Sequence, residues 1–131
     1  MNKYIFQRLF WSKINGAFGG NIRFIGSGSA PLSPELGEFL KVAMAEVVGE
    51  GYGLTETTTG GTGTHPFDLK YGHVGQPRVN IQLKLVDVPD MNYLTTDKPC
   101  PRGEIWIRGT SVFKGYYRNP AKTNEVLTSD G

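Results

Sequence analysis

Apolar positions recur with two different periods along the chain, and the change of period separates an αβ stretch from a β-rich one. Ile5, Phe6, Leu9, Phe10 and Ile14 fall near 3.6-residue spacing, which predicts a helix from Lys3 to Asn15, stopped by Gly16 and the pair Gly19-Gly20. The period then drops to two. Ile22 and Phe24 flank Arg23 and predict a strand from Asn21 to Gly26, leaving through the loop Gly26-Ser27-Gly28-Ser29-Ala30-Pro31. Ser33 accepts hydrogen bonds at a helix start and Pro34 suits the first helical position, so a second helix is expected there. Its stripe is Leu36, Phe39, Leu40, Ala43, Met44 and Val47, one face expected to lie against a sheet. Val47 and Val48 then read as a strand ending in the loop Gly49-Glu50-Gly51-Tyr52-Gly53.

Strand, helix, strand in that order predicts a right-handed crossover between parallel strands. The loops beginning at Gly26 and Gly49 would each follow the carboxyl end of a strand, where open parallel sheets bind ligands, and are expected to face one crevice. From Val79 onward short alternating segments take over: Asn80 to Val88, Gly103 to Arg108 and Val112 to Tyr117, with turns at Pro89-Asp90 and Pro99 to Gly103. The fold class read from this pattern is α/β. A partial parallel αβ sheet subdomain (residues 1–77) precedes a smaller, mainly β subdomain (residues 78–131), and the Gly/Thr stretch Thr57 to Thr64 with the loop to Pro77 joins them. Asp130-Gly131 reads as a hairpin-turn dipeptide.

Composition narrows the function classes. A chain of 131 residues builds one core and buries roughly 65–70% of its unfolded surface at best. A net charge of +2 supplies no field that would select nucleic acid. Glycine, at 18 residues, is about twice its usual share of ~7% and is clustered, which marks backbone that approaches something closely. Cys100 is the single cysteine, so an internal disulfide and a cysteine metal framework are excluded, and a reducing, intracellular compartment is the expectation. No apolar run is long enough for a membrane span. His65 and His73 lack the spacing of a ligand pair, and Lys114, Arg118 and Lys122 read as a solvated face before a CoA-phosphate or membrane patch.

The candidate chemistry sits in Gly51-Tyr52-Gly53-Leu54-Thr55-Glu56-Thr57. The run combines backbone open to close approach, an aromatic face for a base, a hydroxyl for a phosphate and a carboxylate suited to Mg²⁺. The residues alone equally describe a tight turn with a half-buried Tyr and a solvated Glu. Gly26 to Pro31 has the small residues of a backbone wall for a flat ring, and equally those of a plain strand-to-helix turn. Thr57 to Thr64 has no lysine after it and does not fit a Walker loop.

Four runs in order resemble core motifs of the adenylate-forming (AMP-binding) enzyme family. They are Gly28-Ser29-Ala30-Pro31-Leu32, Gly51 to Thr57, Gly103-Glu104-Ile105-Trp106-Ile107-Arg108-Gly109 and Gly115-Tyr116-Tyr117. Val86 to Asp90 and Phe113 to Pro120 resemble its long-chain fatty-acid–CoA ligase branch. The resemblance implies ATP and Mg²⁺ as cofactors, with CoA and a long-chain fatty acid as co-substrates: the acid is activated as acyl-AMP and the acyl group passes to CoA. It implies that Tyr52 stacks on adenine, that Gly28, Ser29, Ala30 and Gly51 line the purine, and that Gly53 sits beside the activated carboxyl. Thr55 and Glu56 are the implied catalytic residues, Thr55 holding the α-phosphate and Glu56 the metal. Two departures stand out: Glu50 where many relatives carry an amide, which would alter a contact at the purine edge, and Thr110 where proline is common.

The resemblance also implies an internal piece of a longer enzyme, inactive in isolation, with the whole enzyme expected inside the cell, in the cytosol or on the cytosolic face of endoplasmic reticulum, peroxisomal or mitochondrial membranes. A Ser/Thr/Gly-rich phosphate loop with its lysine is expected before Met1, and a ribose-holding aspartate and a domain with the catalytic lysine after Gly131. The competing readings are a non-catalytic nucleotide-binding module and an adenylate-forming ligase for another carboxylic acid.

Overall fold

The computed structural model describes residues 3–128, with side chains from Phe10 onward; the Asp130-Gly131 turn and the inner part of the first apolar stripe lie outside the described residues and side chains. The chain divides into two units, Met1–Tyr52 with Thr62–Gln76, and Gly53–Gly61 with Pro77–Gly131.

The first unit opens with α1 (Lys3–Ala17), followed by β1 (Phe24–Ser27), α2 (Pro34–Ala43), β2 (Val47–Tyr52) and β3 (Thr62–Gly63). Helix α2 starts as its sequence dictates: Ser33 Oγ accepts from the Leu36 N–H at 3.3 Å, Pro34 occupies the first turn, and Glu35 and Lys41 match the two ends of the helix dipole. Such a cap is worth about 1 kcal/mol. The expected stripe is rotated. Leu36 and Phe39 are exposed, Val47 belongs to β2, and the buried positions are Gly37 and Ala43, with Leu40 packed on the core. The Tyr71 ring lies over Gly37 on the buried face, where a Cβ would come within 2.4 Å of it. Phe39 turns instead toward Trp11 of α1, edge to face at 5.6 Å.

The core of this unit is Leu32, Ala45 and Val48, with Ile22, Ile25, Leu40 and Tyr71 packed around it. Strands β1 and β2 are parallel, in register from Phe24↔Val47 to Ser27↔Glu50. Strand β2 does not stop at Val48 but continues to Tyr52, and Gly51 and Tyr52 pair antiparallel with Gly63 and Thr62 of β3. The glycines that read as a loop from Gly49 are strand residues whose missing side chains admit neighbours: a Cβ at Gly49 would meet Thr64 Oγ1 at 3.0 Å, and one at Gly51 the Thr62 carbonyl at 3.1 Å. Strand β1 likewise carries Gly26 and Ser27, so the exit loops begin at Gly28 and Gly53. The short β4 (Gln76–Pro77) completes the sheet order β1-β2-β3-β4.

The second unit is built on an antiparallel pair, β5 (Ile81–Val86) and β6 (Glu104–Gly109), in register from Ile81↔Gly109 to Val86↔Glu104. The segment between them is tied by side chains. Asp87 Oδ1 accepts from the Thr95 N–H at 2.6 Å, while Asp97 Oδ2 accepts from the Leu94 N–H at 2.9 Å and from Arg102 Nε at 2.8 Å. The third expected strand, Val112 to Tyr117, is absent. Its backbone donors are committed elsewhere, Phe113 N–H to the Glu56 carbonyl at 2.7 Å and Tyr116 N–H to Thr123 Oγ1 at 2.9 Å. A helix that the alternating pattern did not predict follows, α3 (Pro120–Val126), capped by Asn119 Oδ1 accepting from the Lys122 N–H at 3.1 Å. The unit is therefore a mixture of strand and helix. Among the described residues no helix is long and apolar enough to cross a membrane.

Candidate functional site

Parallel pairing sends both chains out of the sheet at the same edge, and this brings the first set of candidate residues together. Gly28, Ser29 and Ala30 follow β1, while Gly51 and Tyr52 end β2 beside them. A Cβ at Gly28 would lie 3.7 Å from the Gly51 carbonyl oxygen, so the two stretches approach within ordinary contact. Ser29 takes the left-handed conformation, φ 67°, which bends the exit turn at once. Gly28 to Ala30 are exposed and Gly51 and Tyr52 half-buried.

Glu50 departs from expectation. Its side chain is 7% exposed and turned into the protein. Oε1 accepts from the Leu32 N–H at 3.1 Å and Oε2 from the Gly72 N–H at 3.0 Å, so both oxygens serve the protein's own backbone.

The remaining candidates belong to the second unit. Gly53 begins it, and a Cβ there would lie 2.3 Å from the Thr59 carbonyl oxygen, so local packing alone demands glycine. Thr55–Thr57 form a single 3-10 turn. Thr57, 3% exposed, closes that turn by accepting from the Leu54 N–H at 3.0 Å and donating to the Leu54 carbonyl at 3.1 Å. With Thr57 turned inward, Thr55 is exposed and Glu56 half-buried.

Tyr116 donates its hydroxyl to Glu56 Oε1. That bond, then the Glu56 N–H, and Lys122 at longer range hold the Glu56 carboxyl below its ordinary pKa, against a smaller push from burial; the same bond raises the Tyr116 phenol. Glu56 is thus a carboxylate at neutral pH with one oxygen oriented by a phenol. Among the described residues the Tyr116 hydroxyl is the one side-chain group donating to this carboxylate, and no cluster of three or more metal-ligating side chains exists. A lone oriented carboxylate fits Mg²⁺, which takes one or two protein oxygens and completes its shell with water and substrate phosphates. His73 Nε2 lies 3.3 Å from Asp68 Oδ2, and Cys100 is exposed.

Sequence reasoning placed Gly115-Tyr116-Tyr117 among the motifs without giving Tyr116 a partner. The two residues are 60 positions apart, and no local spacing signals the pairing.

The chain is 51% identical over 127 residues to fatty acyl-CoA synthetase A of Dictyostelium discoideum, covering 97% of this chain and 19% of that protein. It is 50% identical to the peroxisomal long chain acyl-CoA synthetase 6 of Arabidopsis thaliana, covering 97% and 18%. Among solved structures it matches the A domain of a carboxylic acid reductase from Segniliparus rugosus, in complex with AMP and a co-purified carboxylic acid, with TM-score 0.67 and 34% identity over 95% of this chain and 18% of that one. The chain thus spans about a fifth of the length of these relatives. The AMP-binding enzyme family matches residues 4–117, nearly the whole of the described structure, and the chain belongs to that family.

Proposed function

We propose that this chain forms part of an ATP-dependent long-chain fatty-acid–CoA ligase, which activates a fatty acid as acyl-AMP and passes the acyl group to CoA. The supporting observation is the gradient of identity, 51% to a fatty acyl-CoA synthetase against 34% to a carboxylic acid reductase domain, together with the four motifs in order. In this reading Tyr52 stacks on adenine, with Gly28, Ser29, Ala30 and Gly51 lining the ring. Thr55, exposed on its 3-10 turn, donates to the α-phosphate. Glu56 holds Mg²⁺, which supplies neutralisation of phosphate charge when bound. Gly53 leaves room for the acyl carboxylate. The acid's oxygen attacks the α-phosphorus, pyrophosphate leaves, and the CoA thiol then displaces AMP. The chain's residues position groups and offset charge, and none acts as a covalent nucleophile. The intracellular setting expected from the sequence is consistent with relatives named as peroxisomal.

The test uses the full-length enzyme that carries this segment. Pyrophosphate release is measured with long-chain, short-chain, aryl and amino acids, in wild type and in Tyr52→Ala and Glu56→Ala. Strong preference for a long-chain acid, and a loss of roughly 100-fold or more in either variant, is expected. Preference for another acid class rejects the substrate, and near-normal turnover in both variants rejects the residue roles.

A further inference from the structure

The mechanism leaves unused a carboxylate that is almost fully enclosed. Glu50 is 7% exposed, its oxygens face no cation, and each accepts one backbone N–H, from Leu32 and from Gly72. Its own backbone is fastened as well: the Glu50 N–H donates to Thr64 Oγ1 at 2.9 Å and the Glu50 carbonyl accepts from the Thr64 N–H at 2.9 Å. A buried charge held only by neutral donors costs desolvation, so its presence needs a reason beyond filling space.

The geometry points to Glu50 as the positioning residue of the purine cleft: its carboxylate straps the Gly28–Leu32 turn and the Gly72 turn to β2 and so sets the spacing between Gly28 to Ala30 and Gly51 to Tyr52. Leu32 is the first core residue after the exposed turn, and its N–H is the point where that turn is pinned. Glu50 precedes Gly51 on β2, and it lies opposite Ser27, the residue before Gly28, in the parallel register. One side chain therefore stands directly behind both walls. A carboxylate suits the task, since both of its oxygens accept, whereas an amide offers a single acceptor oxygen. An amide here presents an NH₂ to one of two N–H donors and releases either the Gly28–Leu32 turn or the Gly72 turn.

This inference rests on the purine reading of the two walls. Its test compares wild type with Glu50→Gln and Glu50→Asp in the full-length enzyme, with AMP affinity measured by calorimetry and the KM for ATP and for fatty acid measured separately. Glu50→Gln is expected to weaken AMP roughly tenfold, in line with loss of a charge-assisted hydrogen bond, and to raise the KM for ATP alike while leaving the KM for fatty acid unchanged. A purely structural role would move both KM values and kcat together. Unaltered AMP affinity in Glu50→Gln overturns the inference alone, whereas a wild-type enzyme that binds no AMP overturns the purine reading beneath it. Should the variants fail to fold, amide hydrogen exchange in wild type decides: strong protection of both the Leu32 and Gly72 N–H is expected, and free exchange of either refutes the strap.

Discussion

Individual side chains in this molecule do work that their residue type alone does not announce. Glu56 and Glu50 are both carboxylates within the same short run, yet one is oriented by a phenol and the other spends both oxygens on the backbone of Leu32 and Gly72. For Glu56 the consequence is testable through its orienting partner. Tyr116→Phe keeps the ring, which packs edge to face on Phe113 at 4.9 Å, and removes only the donor to the carboxylate. The Mg²⁺ concentration for half-maximal pyrophosphate release in the full-length enzyme is expected to rise roughly tenfold, as for other outer partners of metal ligands, with the KM for fatty acid unchanged. An unshifted Mg²⁺ dependence would remove Tyr116 from the site.

At the level of elements, legibility followed the physics of each signal. Helix α2 was readable because Ser33, Pro34 and the 3.6-residue spacing are local, whereas the face it buries was not, since Tyr71 reaches it from a distant loop. The end of β2 was misplaced because glycine carries two meanings, turn and close approach, and only the β3 pairing decides between them. The Val112 to Tyr117 segment alternates like a strand but gives its N–H groups to Glu56 and Thr123, contacts that no pattern reports. Helix α3 had a local signal in Asn119-Pro120 that the alternating reading overrode. The motifs singled out the candidate residues, but the pairing of Tyr116 with Glu56 was not legible, because it joins residues remote in sequence. The loop between β5 and β6 carries its own pH dependence. The Leu94 N–H, then Arg102, hold Asp97 below its ordinary pKa, so its stabilising contribution is complete above the usual carboxylate range and disappears as pH falls through the depressed value. As pH falls from the usual carboxylate range through that depressed value, Asp97→Asn in the full-length enzyme is therefore expected to lose less melting temperature than wild type. Parallel acid limbs in circular dichroism melts would contradict this.

For the molecule as a whole, the core is thin. Among the described residues no large side chain is fully buried, while Phe67, Leu69 and Val79 are 81%, 78% and 89% exposed. Exposed apolar surface of this kind calls for cover. The 131-residue chain alone is accordingly expected to bind a hydrophobic dye, to melt without a sharp transition and to form no acyl-AMP; a cooperative, dye-free melt or fatty-acid-dependent AMP production would refute that expectation. Strand β2 adds a constraint of another kind. Val48 anchors the core and, within four residues, the same strand presents Glu50, Gly51 and Tyr52. Under the proposed purine reading, robustness and ligand affinity share one mechanical part: a repacking substitution at Val48 is expected to register in a nucleotide titration of the full-length enzyme as readily as in a melting curve, so that neither trait is tuned in the laboratory without retuning the other.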